Sequence, residues 1–130
     1  MLNKFPHLME KIRFAAGFDI TNPKECLAAV KKDGYSIRYI HNPDKEIQLV
    51  AVKQYSTNIE CIRDPNKEVQ LETVKYNGYN IRYIQNPDKD VQMAAIEQSG
   101  YDIKIIMMCP NWEEFAEEIE RNMIIKDIIE

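Results

Sequence analysis

The chain has no long apolar run, and its opening letters, MLNKFPHLMEKIRF, interleave charge with hydrophobes. A membrane-spanning helix needs about 20 consecutive apolar residues and a secretory leader needs an unbroken apolar centre, so neither is expected. Cysteine is sparse and odd in number, at Cys26, Cys61 and Cys109, without the close pairing that zinc sites use. Reduced thiols in a cytoplasmic protein are therefore expected, rather than a disulfide framework or a metal centre. Histidine occurs only at His7 and His41, and neither has a Cys or Ser partner at a recurring position. No nucleophile–base set is in view. Carboxylates are plentiful, but most fall at expected helix N-termini, where they answer the helix dipole. The chain is read as a non-enzyme without cofactor or metal. A basic stripe is also missing: the net charge is −4, and the segment 110–130 alone carries −5. That disfavours a nucleic-acid binder and favours a protein partner with a basic surface.

What is present is a repeat. With 45% apolar and 29% charged residues the composition is that of a folded domain. Within it, TNPKECLAAVKKDGYSIRYIHN, PDKEIQLVAVKQYSTNIECIRD, PNKEVQLETVKYNGYNIRYIQN and PDKDVQMAAIEQSGYDIKIIMM follow one another at 21–42, 43–64, 65–86 and 87–108. The four align without a gap at a period of 22 residues. A short fixed period means that each unit buries its apolar face against its neighbours. The expected architecture is all-α, a short right-handed helical solenoid in a single domain 1–130. A capping helix precedes the repeats (1–20) and an acidic helix follows them (109–130).

Each later unit opens on Asn42-Pro43, Asp64-Pro65 or Asn86-Pro87. An Asn or Asp side chain can accept the orphan amides of a first turn, and proline's fixed φ suits the first helical position. This predicts a first helix of about twelve residues, for example 43–54, closed by a left-handed glycine at Gly34, Gly78 or Gly100. The following Tyr-x-Ile-Arg-Tyr-Ile element reads as a short helix or 3₁₀ segment in preference to a strand, because the next Asn-Pro follows so closely. Gln48, Gln70 and Gln92 fall inside the apolar arc, which predicts a glutamine ladder bonded to loop backbones of the adjacent unit. The opposite ridge, from Lys24 and Lys31 through Glu68 and Glu72 to Asp90 and Glu97, is expected in solvent.

At the N-terminal end Leu8, Met9, Ile12 and Ala15 are expected to face inward, with Gly17 closing the helix. At the other end Trp112, Phe115, Ile119 and Met123 share a helix with Ile124, Ile125, Ile128 and Ile129, an isoleucine cluster that also suits a homodimer. Its outer face is Glu113, Glu114, Glu117, Glu118 and Glu120. The second unit departs from its sisters, with Ser56-Thr57 for Gly-Tyr, and Glu60 and Cys61 where two sisters have Arg and Tyr. Tyr and Arg are favoured interface anchors. The candidate partner-binding residues are therefore Arg38, Tyr39, Tyr55, Glu60, Arg82 and Tyr83, joined by Glu113, Glu114, Glu117 and Glu118.

The phrases LAAVKKDGYSIRYI and QLETVKYNGYNIRYI resemble a tandem repeat of large DNA viruses, phages and bacterial effector proteins, and the unit openings are similar to leucine-rich repeat variant and HEAT-like solenoids. The resemblance spans 21–108 and implies a helical solenoid. A viral or phage setting in turn implies a small acidic inhibitor of a host defence protein or nuclease, acting in the host cytoplasm. The first expectation is a non-enzymatic protein-interaction module. The alternatives are a single-stranded nucleic-acid binder that stacks bases on Tyr35, Tyr39, Tyr79 and Tyr83 between Arg38 and Arg82, and a structural or oligomerising module.

Overall fold

The computed structural model describes residues 5–129, and among them every regular element is helical. In chain order the α-helices are α1 (Pro6–Phe14), α2 (Pro23–Lys32), α3 (Lys45–Gln54), α4 (Lys67–Tyr76), α5 (Lys89–Gln98), α6 (Ile103–Met108) and α7 (Ala116–Ile129). Six-residue 3₁₀ segments, Gly34–Tyr39, Ser56–Cys61 and Gly78–Tyr83, follow α2, α3 and α4, and a shorter one, Trp112–Phe115, precedes α7. The chain forms two compact units, Met1–Val69 and Gln70–Glu130. Among the described residues no helix is long and apolar enough to cross a membrane.

The helices begin later than the Asn-Pro pairs suggest. Asn42 and Asn86 adopt left-handed backbone, with φ of 54° and 53°. A short polar side chain makes that conformation tolerable for asparagine. These two Asn-Pro pairs are thus turns, and the cap is the next residue: Asp44 accepts the amide of Ile47 at 2.9 Å and Asp88 that of Val91 at 3.0 Å. Among the repeat helices α2 to α5, α2 alone begins at its proline, Pro23, with Asn22 accepting the amides of Lys24 and Glu25.

The glycine expectation is corrected too. Gly100 is left-handed, with φ of 69°, as a helix end requires, but Gly34 and Gly78 are not. Crowding demands glycine there. A Cβ on Gly34 would lie 2.8 Å from both Gln54 Oε1 and Asn58 Nδ2, and one on Gly78 would lie 2.5 Å from the carbonyl oxygen of Ala95. The residue before each glycine caps the 3₁₀ segment: Asp33 accepts the amide of Tyr35, and Asn77 that of Tyr79, both at 3.0 Å. After Gly100 the second element is α6 instead of 3₁₀, and Ile103 is exposed while Ile105 and Ile106 are buried.

In the first unit Cys26, Val30, Ile37, Ile47, Ala51 and Ile59 form the core. Gln48 is buried and donates from Nε2 to the Pro43 carbonyl at 2.8 Å, while its Oε1 accepts the Asn66 amide at 2.9 Å. Gln92 repeats this in the second unit, donating to the Pro87 carbonyl at 2.8 Å and accepting the Asn111 amide at 3.3 Å. The bond to Asn66 reaches the adjacent repeat as the expected glutamine ladder requires, and that to Asn111 reaches the segment after the last repeat, whereas the proline carbonyls belong to the glutamines' own repeats. A second set was not foreseen. Gln54 accepts the Gly34 amide at 2.7 Å and donates to the Val30 carbonyl at 2.7 Å, and Gln98 accepts the Gly78 amide at 2.6 Å. Asn58 and Asn80, both buried, donate to the carbonyls of Ala51 and Thr73 at 2.9 Å.

The N-terminal helix does not bury the face expected of it. Leu8 is 55% and Ile12 42% exposed, and no residue of α1 is buried. A polar clasp sets its position instead. Arg13 grips the buried Asp19 through two bonds, at 2.8 and 2.7 Å, and Thr21 adds its amide and hydroxyl to the same carboxylate. At the other end Phe115 and Ile119 are buried and Trp112 and Met123 half-buried, while Ile124 and Ile125 are exposed. The side chains of Ile128 and Ile129 lie outside the described residues.

Gly78→Ala should destabilise the protein by about 1–3 kcal/mol in chemical denaturation, because its neighbour is backbone. Gly34→Ala should cost less, since the ends of Gln54 and Asn58 can swing aside. The Asp19 carboxyl, bonded by Arg13 and Thr21, is held well below the usual carboxylate range. A lowered folded pKa stabilises above the ordinary carboxylate value of about 4 and loses that effect as pH falls below it. Asp19→Asn should therefore lower the melting temperature at pH 7, and the gap from wild type should close on acidification below about pH 4.

Candidate functional site

The 3₁₀ geometry of Gly34–Tyr39 determines what its surface presents. At three residues per turn, positions three apart eclipse one another. Tyr35 and Arg38 are such a pair, and the Arg38 guanidinium carbon lies 3.8 Å from the Tyr35 ring centre. The same carbon is 4.5 Å from the Tyr39 ring centre, and Nη2 donates to the Tyr39 hydroxyl. One arginine is thereby held by two exposed tyrosines, and the bond to Tyr39 raises its pKa further above an already high value.

The next repeat contributes Tyr55, Glu60 and Cys61. Tyr55 stands where Asp33 and Asn77 act as caps, and the segment Ser56–Cys61 has no side-chain cap. The capping position is given over to a tyrosine that is 71% exposed. Glu60 is exposed and Cys61 half-buried. Burial raises the Cys61 thiol pKa, with Arg38 pulling it down and Glu60 pushing it up, so both charges act at this sulfur. Beside it opens a groove of about 320 Å³, lined among others by Arg38, His41, Asn42, Cys61, Arg63 and Asp64. Burial also raises the thiols of Cys26 and Cys109, the latter to about 11.

In the second unit the corresponding stack is thinner. Arg82 lies 4.7 Å from the Tyr83 ring centre and donates to its hydroxyl at 2.6 Å. Tyr79 is directed elsewhere, its hydroxyl donating to Asp102 Oδ2 at 3.3 Å. Tyr83 itself is half-buried. Of the four acidic candidates, Glu113, Glu114 and Glu117 are exposed, whereas Glu118 pairs with Lys89 at 2.5 Å. They share a shallow groove of about 290 Å³ with Phe115 and Arg121.

The predicted residues thus fall into three groups: Arg38 with Tyr39, Tyr55 and Glu60 in the first unit, Arg82 with Tyr83 in the second, and the glutamates around Lys89. Sequence reasoning named Tyr35 only as a base-stacking alternative and left it out of the protein-binding set, and it did not consider His41 and Arg63 together. The signal was available two columns past Tyr39, where His41, Arg63, Gln85 and Met107 occupy the same repeat position. Among the described residues no cluster of three His, Cys, Asp or Glu side chains is placed to hold a metal ion. No family model, curated protein or solved structure matches the chain.

Lysine keeps the charge of Arg38 but loses the plane that stacks. In Arg38→Lys the ring resonances of Tyr35 and Tyr39 should move toward random-coil positions, while the amides of α3 stay in place. Unmoved ring signals would mean that the stack is not populated in solution.

Proposed function

We propose that the chain is a protein-interaction module without catalytic activity, built as a right-handed helical solenoid of four repeats and acting in the cytoplasm. The observation that carries this reading is the Tyr35–Arg38–Tyr39 stack. Tyrosine and arginine are the residue types that anchor protein interfaces, and a pre-ordered stack loses less conformational freedom on binding than free side chains do. Tyr55 extends the supply of exposed aromatic surface in the same unit. Single-stranded nucleic acid needs open ring faces for its bases. Here Arg38 already covers a face of each tyrosine, which favours a protein partner.

A second contact is the acidic surface of Glu113, Glu114 and Glu117. It complements a basic patch, and a nuclease or other host defence protein with a basic nucleic-acid channel is the partner class it fits. The test is capture from the lysate of the cell in which the protein acts. Wild type is compared with Tyr35→Ala/Tyr39→Ala/Tyr55→Ala and with Glu113→Lys/Glu114→Lys/Glu117→Lys. The tyrosine variant should lose a specific protein by at least tenfold in affinity, as loss of an interface anchor does. The glutamate variant should weaken the same complex in a salt-dependent way. Equal retention by all three proteins, or retention of a single-stranded oligonucleotide in place of a protein, would overturn the proposal.

A further inference from the structure

The groove beside the stack has a chemistry of its own. It is bordered by the turn after one 3₁₀ segment, with His41, Asn42 and Pro43, and by the turn after the next, with Ile62, Arg63 and Asp64. Arg38 reaches it from the first segment. His41 and Arg63 make no hydrogen bond or ion pair within the described residues, and Arg38 commits Nη2 to Tyr39. Gln48 also lines the groove, but both ends of its amide are engaged. Asp64 is the single acid in the lining. Three donor-bearing cationic or protonatable groups therefore border the groove against one carboxylate.

The other repeats supply an internal control. Where this groove has His41 and Arg63, the later units carry Gln85 and Met107 at the same position. His41 and Arg63 are a local addition to a common framework, and the fold accepts an amide and a thioether side chain in their place. We propose that the groove receives a phosphorylated side chain of a partner protein, a phosphate monoester held between Arg38, Arg63 and His41. This rests on the reading of the first unit's surface as protein-binding.

Three considerations select that ligand. A carboxylate is satisfied by one guanidinium fork, whereas a phosphate monoester offers three acceptor oxygens and about −1.5 to −2 of charge, which suits convergent donors. A volume of about 320 Å³ also leaves room for the group that carries the phosphate. A nucleic-acid backbone needs cations at successive positions, and Gln85 and Met107 end any such series in the later repeats.

The test uses the full chain, titrated with phenyl phosphate and followed by amide NMR and by alkylation of Cys61, which lines the groove while Cys26 and Cys109 are buried. Amides of residues 38–42 and 61–64 should shift, and alkylation of Cys61 should slow. Affinity should fall about tenfold in Arg63→Met, the loss of one charge-assisted contact. His41→Gln should weaken binding in the same direction. Both variants introduce residues that the fold already accepts at that repeat position. Absence of shifts, shifts unaltered in both variants, or equal binding of benzoate would overturn the assignment. So would equal binding of inorganic phosphate, which would make the carrier irrelevant, or tighter binding of a single-stranded oligonucleotide. Such a result leaves the capture experiment with the tyrosine variant standing by itself. Loss of capture without phosphate binding removes the groove and keeps the interaction surface.

Discussion

The structure depends on side-chain amides that satisfy backbone groups where helices end. A helix leaves its first amides and last carbonyls without internal partners, and a chain that alternates ten-residue α-helices with six-residue 3₁₀ segments creates such ends continually. Buried without partners, they would each cost on the order of 1–3 kcal/mol. Gln48 and Gln92 bridge a proline carbonyl to the asparagine amide 18 or 19 residues further on. Gln54 and Gln98 reach back 20 residues to a glycine amide, and Asn58 and Asn80 reach back seven to a helix carbonyl. Among the described residues no buried side-chain nitrogen or oxygen lacks a partner.

This constraint explains the alternation among the repeats. Gln54 and Gln98 belong to the second and fourth units, and the glycines they bond, Gly34 and Gly78, to the first and third. Each glycine leaves the space that the incoming amide fills. Ser56 stands in the second unit where its neighbours have glycine, and Lys32 and Tyr76 stand in the first and third where Gln54 and Gln98 stand in the others. The departure of the second unit from the Gly-Tyr pattern accompanies its role as the glutamine half of a pairing, although the fourth unit fills that role and keeps Gly100-Tyr101. It also frees Tyr55 from the capping duty that Asp33 and Asn77 perform, which is why that tyrosine is available at the surface.

The sequence made the period, the helical character of both elements and the Gln48 and Gln92 bonds legible, because each follows from spacing along the chain. It hid features that depend on residues about 20 positions away. Gly34 and Gly78 read as left-handed caps, since the crowding by Gln54 and by the Ala95 carbonyl has no local signature. The Asn-Pro pairs read as caps because capping and left-handed turns draw on the same residue types. In α1 the apolar spacing pointed inward, yet the Arg13–Asp19 clasp fixes the helix with Leu8 and Ile12 in solvent. Of the candidate surface, Arg38, Tyr39 and Tyr55 were legible. Tyr35 needed the 3₁₀ pitch that lays it against Arg38, and His41 with Arg63 needed the pairing of one repeat's exit turn with the next.

Core and surface in this chain obey different rules at the same repeat positions. Buried positions hold Ile37, Ile59 and Ile81 at one column and Val30, Val52 and Val74 at another, because each must fill the same space. The exit-turn column holds His41, Arg63, Gln85 and Met107, all exposed, so nothing in the fold dictates its chemistry. A scaffold whose internal bonds are closed by Gln and Asn side chains leaves the exit-turn residues free to vary without cost to packing. On the proposed interaction reading, binding specificity would reside in where charge and aromatic surface are placed on a repeated frame. In the first unit that placement puts a stacked arginine, two unengaged basic side chains and an exposed tyrosine on consecutive turns.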